Sequence, residues 1–301
     1  WWRRSAARYF NRRGVGPLSI EINSVSHIYM ENTPLSHTAL RDVSLTITEE
    51  SFTAIAGETG AGKSTLMQMI GGLIRPTSGN ITVDGVSLWT KQKNIDITER
   101  SIRFRVGMVF QYPEYQLFEE TVYEDIAFGP RNQRLSEIDV EKRVQEAMDL
   151  LHLPQGYRDR SPFALSGGER RRAAIAGVLA LAPRYLVLDE PTAGLDPRGR
   201  EELLAMLSVL NCEQKMCIIL VSHSMEDILC VAQHLVLLAD GQVIGEGAPW
   251  KIFRDTDLLD RASLVAPHLL RLGKDLEEIG YPVGNCNTIS EMSDVLLAKR
   301  I

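Results

Sequence analysis

Cysteine is scarce in this 301-residue chain, and the four present fit neither a disulfide framework nor a zinc site. Cys212, Cys217, Cys230 and Cys286 form no C-x-x-C pair and no zinc-ligand spacing, so small, reduced, apolar side chains in a reducing compartment are expected. Long apolar runs are also missing. The nearest, Ile175 to Leu188, is interrupted by Pro183-Arg184, whereas a membrane span needs about 18 or more apolar residues. The chain is not expected to cross a membrane by itself. A basic excess is lacking too, and a net charge of −6 argues against bulk nucleic-acid binding. No internal repeat or low-complexity tract occurs. The apolar fraction of 44% is ordinary for a globular protein, and the length suits one large domain or two smaller ones.

The basic charge that exists is unevenly placed. The first twenty residues hold Arg3, Arg4, Arg8, Arg12 and Arg13, no acid, and an opening Trp1-Trp2. Without those five arginines the rest carries 28 basic against 39 acidic groups, or −11. Residues 1–19 are set apart from the fold. They suit either a membrane-surface arm or an extension foreign to the domain.

The most informative stretch is Gly57-Glu58-Thr59-Gly60-Ala61-Gly62-Lys63-Ser64, followed by Thr65. It matches the phosphate-binding loop pattern of Gly, four residues, Gly-Lys-Ser. Phe52 to Ala56 before it is short, apolar and partly β-branched, as a buried strand is. Lys63 to Ile70 after it lacks Gly and Pro and predicts a helix. A strand, a glycine-rich turn and a helix N-terminus aim several N–H groups at one point. Lys63 then suits the β- and γ-phosphates of ATP, and the Ser64 hydroxyl suits Mg²⁺.

Alternation predicts strands over Ile20–Val25 and Val43–Thr48. Hairpins are predicted around Asp84-Gly85 and Asp240-Gly241. Short buried strands are predicted at Val106–Phe110, Tyr185–Leu188 and Met216–Val221. Between about 112 and 175 the pattern turns helical, with Val140, Val144, Ala147, Met148 and Leu151 at helical spacing behind a Ser136–Asp139 start. From about 250 it is helical and charged, with a capping-box pattern at Thr288–Glu291. Strands alternating with helices predict an α/β fold with a mostly parallel central sheet. It carries an N-terminal antiparallel part, an inserted helical subdomain and a small C-terminal helical appendage.

The chemical residues fall just past strand ends, where ligands bind in such sheets. Asp189 and Glu190 end an apolar strand. Asp189 suits a Mg²⁺ shell and Glu190 suits a general base for water attacking a γ-phosphate. Gln111 ends another strand, within reach of metal and water, and His223 ends a third, within reach of the γ-phosphate. Ser166-Gly167-Gly168 opens a helix and offers a second anion site. Two such helix ends imply two ligands, or one ligand shared between two copies of the fold. Tyr29, upstream of the loop, suits stacking on a base or ordinary packing.

In this order the elements resemble the nucleotide-binding subunits of ATP-binding cassette transporters over residues 20–250. They are Tyr29, Gly57–Ser64, Gln111, Leu165–Glu169, Asp189-Glu190, Ala193–Asp196 and His223. The resemblance implies a head-to-tail dimer with each ATP between one subunit's phosphate loop and the other's Leu165–Glu169 signature. Tyr112 to Val122, Phe128-Gly129-Pro130 and Ile175 to Ala180 are similar to the energy-coupling factor ATPases. The Phe-Glu-Glu-Thr-Val wording is closer to the second of that family's two ATPase subunits. This implies a second, different ATPase as partner and residence on the cytoplasmic face of the cell membrane. It also implies a membrane scaffold docking near 112–125, with a separate substrate-binding membrane protein for a vitamin or a transition-metal ion. Residues 251–301 would help pair the two ATPases. Two features depart from the pattern. Glu169 stands where Gln is usual, leaving Ser166 and Gly167 in place, and the first twenty residues match nothing there.

Two other classes share much of this pattern: another transporter's ATPase, and a soluble cassette acting on ribosomes or DNA. One cassette and no long coiled coil in the chain disfavour the second. A nucleotide kinase would have no use for Leu165–Glu169.

Overall fold

The computed structural model describes residues 18–89, 102–281, 283 and 289–298. The arginine-rich start, residues 90–101 and the Thr288 cap lie outside the described residues.

Two sheets organise the chain. The first contains β1 (Ser19–Tyr29), β2 (His37–Thr48), β4 (Ser78–Val83) and β5 (Val86–Ser87), in the order β2-β1-β4-β5 and antiparallel throughout. β1 and β2 are longer than alternation alone predicts, because cross-strand pairing continues to Tyr29 opposite His37. Alternation fails near Val25, where the register shifts and Ser24 takes a left-handed φ of 48°. Such a bulge turns the next side chains without ending the strand.

The second sheet has the order β10-β9-β3-β8-β7-β6. Its strands are β3 (Phe52–Ala56), β6 (Val106–Val109), β7 (Tyr185–Asp189), β8 (Cys217–Val221), β9 (His234–Ala239) and β10 (Gln242–Gly247). β6, β7, β8, β3 and β9 run parallel, and β10 closes the edge antiparallel to β9. β3 and β8 are buried at every position, as strands covered on both faces must be. Both predicted two-residue turns form. Asp84 and Gly85 have φ of 52° and 75°, and Asp240 and Gly241 have 50° and 75°. Two consecutive positive φ values suit the right-handed twist of a hairpin.

The helical subdomain holds α2 (Val122–Asn132), α3 (Glu137–Leu150) and α4 (Gly167–Leu179). Ser136 caps α3 by accepting from the Asp139 N–H. Val140, Val144, Ala147 and Met148 are buried, as their spacing predicts. They share one core with Ile175 and Leu179 of α4 and with Leu186 and Leu188 of β7. α1 (Lys63–Ile70) packs between the two sheets, with Leu66, Met67, Met69 and Ile70 buried. α5 (Pro197–Cys212) starts earlier than its apolar pattern, because Asp196 accepts from the Gly199 N–H and Pro197 sits at the first turn. α6 (Met225–Val231) follows β8.

The C-terminal stretch is less separate than its composition predicts. It contains α7 (Pro249–Ile252), α8 (Thr256–Arg261), α9 (His268–Glu278) and α10 (Ile289–Ala298). Ile252, Phe253, Leu259, Ala262 and Leu270 pack with Ala54, Ala56, Leu235 and Leu237 of the parallel sheet. Only beyond this does a small satellite core form, around Val283 and Met292.

Candidate nucleotide site

The loop between β3 and α1 needs its glycines. Gly62 has φ 99°, and a Cβ there would stand 2.5 Å from the Ala39 carbonyl oxygen. At Gly57 it would stand 2.1 Å from the Leu238 carbonyl oxygen. Only a residue without a Cβ lets the backbone thread there. Ala61 is buried, whereas Thr59, Gly60 and Ser64 are exposed at the loop mouth. No side chain caps α1 and no acid stands in its first turn, so its terminal N–H groups and positive dipole end are left for an anion.

Lys63 is buried and curls back to donate to the carbonyl oxygens of Gly57 and Glu58, both at 2.8 Å. An ammonium has three protons, so one remains for a phosphate oxygen. Burial pushes Lys63 below its ordinary pKa, against the pull of Glu190, Asp189 and Glu58. Burial, and then the charge of Glu190, pushes Asp189 up, against Lys63 and His223. Tyr29 is joined to α1 by a 3.2 Å hydrogen bond between its hydroxyl and that of Thr65. Its ring meets His27 edge-on at 4.5 Å.

Sheet order brings three distant residues together. Because β6, β7 and β8 are neighbours, Gln111, Glu190 and His223 emerge side by side. Gln111 Nε2 donates to Glu190 Oε2 at 2.9 Å, and His223 Nε2 lies 2.7 Å from Glu190 Oε1. Glu190 itself has a left-handed φ of 46°, a conformation that a residue with a Cβ holds at some cost.

The two helix ends taken as anion sites differ. Ser166 caps α4 in a capping box with Glu169. Its N–H and its hydroxyl donate to Glu169 Oε2 at 2.8 and 2.7 Å, and the Tyr157 hydroxyl donates to Oε1 at 2.6 Å. These bonds, Tyr157 first and Ser166 next, pull the Glu169 carboxyl down to about 2. An amide there could accept on its single oxygen only, so it could not take the bonds on both sides, and it would bring no charge. Gly167 and Gly168 have no positive φ, and a Cβ on either would meet nothing within 4 Å. The chain's own fold does not require glycine at these two positions.

Sequence reasoning missed several residues around the Asp189-Glu190 turn. Arg171 donates to Glu114 and to the carbonyls of Pro191 and Ala193. Asp227 is buried and accepts from Thr192 and from Arg200. A signal for Arg171 was present, since 171, 175 and 179 lie on one face at i, i+4, i+8 and all three are buried.

The residues fit a nucleotide with a divalent cation. Among the described residues no cluster of three or more His, Cys, Asp or Glu is placed to hold a metal. The oxygen donors here are Ser64, Asp189 and the Gln111 amide. That set suits Mg²⁺ completed by phosphates and water rather than an all-protein cage.

Comparison with known proteins agrees with this geometry. The sequence profile of the ABC transporter family matches residues 40–193. The energy-coupling factor transporter ATP-binding protein EcfA2 of Clostridium tetani is 47% identical over 282 residues, covering 93% of this chain and 96% of that protein. The protein of the same name from Clostridium perfringens is 45% identical, covering 93% and 98%. Among solved structures, cbiO1 from Clostridium perfringens, described as part of the ABC transporter complex cbiONQ, superposes with a TM-score of 0.71 at 32% identity. It covers 86% of this chain and 99% of its own. A dimeric ATP-binding cassette bound to ADP and Pi in a post-hydrolysis state superposes at 0.66, with 29% identity over 76% of this chain and 98% of its own. With a family profile over half of its length and relatives at 45–47% identity across 93% of it, the chain belongs to the ABC transporter ATPases, among the energy-coupling factor ATP-binding proteins named EcfA2.

Proposed function

We propose that this ATPase is the motor of an energy-coupling factor importer, with Glu190 as the general base of hydrolysis. The chain binds and hydrolyses ATP as a member of its family. The observation that carries the finer reading is the Glu190 carboxylate held between Gln111 and His223 at 2.9 and 2.7 Å, next to Asp189. Gln111 orients the carboxylate toward an attacking water, and His223 steadies it and reaches the γ-phosphate. Mg²⁺, held by Ser64, Asp189 and Gln111, would neutralise charge on the phosphates. Lys63 and the N–H groups of Gly60, Ala61, Gly62, Ser64 and Thr65 hold the phosphates, with Thr59 at the loop mouth, and Tyr29 stacks on the base.

Ser166, Gly167 and Gly168 act on the nucleotide of the second ATPase subunit. The support is that neither glycine is needed by this chain, which suits a close approach from outside it. The second subunit is taken to be a different ATPase, paired in part through the C-terminal helices. Docking to the membrane scaffold is assigned to 112–125, on the cytoplasmic face of the membrane. Among the described residues no helix is long and apolar enough to cross it. The cargo, a vitamin or a transition-metal ion, is bound by another membrane subunit.

Glu190→Gln keeps size and hydrogen bonding but removes the base. It is expected to bind ATP normally and to slow turnover by roughly 10²–10⁴-fold in the assembled complex. Turnover near the wild-type rate would remove Glu190 from this role.

A further inference from the structure

Arg171 is a buried cation, 4% exposed, that ties the helix it stands on to two other segments. It stands on α4, a little more than one turn past Ser166. Its Nε and Nη2 donate to Glu114 Oε2 and Oε1 at 3.0 and 2.8 Å, a two-pronged fork. Its Nη1 donates to the carbonyl oxygens of Pro191 and Ala193 at 2.9 and 2.8 Å. Glu114 lies in the short 3-10 helix Pro113–Gln116, three residues after Gln111. Pro191 and Ala193 belong to the turn that begins at Glu190.

Burying such a pair is a poor way to stabilise a fold. Desolvating each ion is costly, and apolar side chains of similar volume often hold a core as well or better. What a guanidinium adds is direction. Its planar donors fix both distance and angle toward a carboxylate and two carbonyls together. Burial works to raise the Glu114 carboxyl, but the Arg171 bonds, a backbone N–H and the charges of Arg171 and Arg170 together hold the group below the usual carboxylate range. The far side of the turn is tied separately, Thr192 Oγ1 donating to Asp227 Oδ2 at 2.8 Å. That second tie leads to α5 and α6 and not to the segment after Gln111.

We propose that Arg171 is a positioning residue for hydrolysis, which locks the turn carrying Glu190 to the Glu114 segment so that a displacement of one moves the other. This rests on reading Glu190 as the base and 112–125 as the docking segment.

The test uses the membrane complex purified through the full-length chain, and the full chain alone for binding. Arg171→Gln by itself strands the Glu114 carboxylate in the interior and can unfold the protein. The double variant Arg171→Gln/Glu114→Gln removes both charges, and Arg171→Lys keeps the charge but not the fork. Affinity of the chain for a fluorescent ATP analogue is expected to stay within about twofold of wild type. In the complex, kcat is expected to fall by roughly tenfold or more in both variants with KM little changed, and Arg171→Lys is expected not to rescue. The inference is overturned if the double variant keeps kcat within twofold of wild type. It is equally overturned if the lost rate returns fully on cooling in step with a lowered melting midpoint, since that marks a merely structural role. Glu190→Gln run in parallel separates the two readings. An active Glu190→Gln complex removes the base assignment, whereas an inactive one beside a normal double variant removes only the role of Arg171.

Discussion

Glu169 closes the capping box at the start of α4, and its surroundings keep its carboxylate ionised at neutral pH. Tyr157 and Ser166 supply three hydrogen bonds to an ionised carboxylate, and the carboxyl falls from 4.5 to about 2. A folded-state value below the unfolded one means that the ionised form stabilises the fold. That contribution is complete above about 4.5 and is lost as pH falls toward about 2. Glu169→Gln keeps the cap but cannot titrate. Its stability is therefore expected to fall by less than that of wild type across that window, while Glu114 and Glu141, whose carboxyls are also held low, still titrate in both. Denaturant midpoints of both proteins from pH 5 downward would check this, and parallel curves would contradict it. The group is largely solvated, so screening keeps the difference small.

At the scale of elements, the segment from Tyr112 to Asp125 spends its acids unevenly. Glu114 is taken by Arg171 and Glu124 by Arg131. Asp125 accepts from the N–H groups of Phe118 and Glu119, with burial pushing its carboxyl up. Among the described residues Glu119 and Glu120 make no such ion pair, which leaves them for a basic partner. Beside them runs a groove of about 290 Å³ lined by Leu117, Phe118, Asp125, Phe128, Gly177 and Leu181. Phe118 and Phe128 meet edge-to-face at 5.0 Å, 60% and 46% exposed. Exposed aromatics beside unpaired acids suit anchors and steering for an apolar helix with basic residues. Glu119→Lys/Glu120→Lys is expected to weaken recovery of the scaffold with this chain and to stop uptake in reconstituted vesicles. Nucleotide binding by the isolated chain should be unchanged. Wild-type assembly and transport by the double variant would remove these residues from the docking surface.

Across the whole molecule, the C-terminal helices divide into two parts with different work. α7, α8 and the start of α9 cover the face of the parallel sheet that Ala54, Ala56, Leu235 and Leu237 present. Phe253 is 2% exposed there, and Phe253→Ala is expected to cost about 3–5 kcal/mol. α10 contributes only to the satellite core around Val283 and Met292. A chain ending after residue 281 should therefore keep its melting midpoint within a few degrees, whereas one ending after residue 248 should fail to fold. Calorimetry of the two truncations decides it, and equal behaviour would refute the division.

The elements whose instructions are local were legible in the sequence. Phe52 to Ile70 announces a strand, a glycine turn and a helix, and Asp84-Gly85 and Asp240-Gly241 announce hairpins. Ser136 announces a helix start. In each case the deciding interaction lies within a few residues, so backbone periodicity, glycine φ and capping are sufficient. Placing Glu190 and His223 at strand ends also needed only the apolar runs before them. What sits beside those ends is a matter of sheet order. Gln111, Glu190 and His223 are 79 and 33 residues apart in the chain, and they meet because β6, β7 and β8 lie in that order. Helical spacing marks Arg171, within the run Arg170-Arg171-Arg172, for the buried face, but its partners Glu114, Pro191 and Ala193 come from other segments. Nothing near Glu169 in the sequence announces Tyr157, twelve residues away, which closes on its carboxylate. A charged side chain acquires its role from partners that folding delivers, and neither periodicity nor spacing encodes who those partners are.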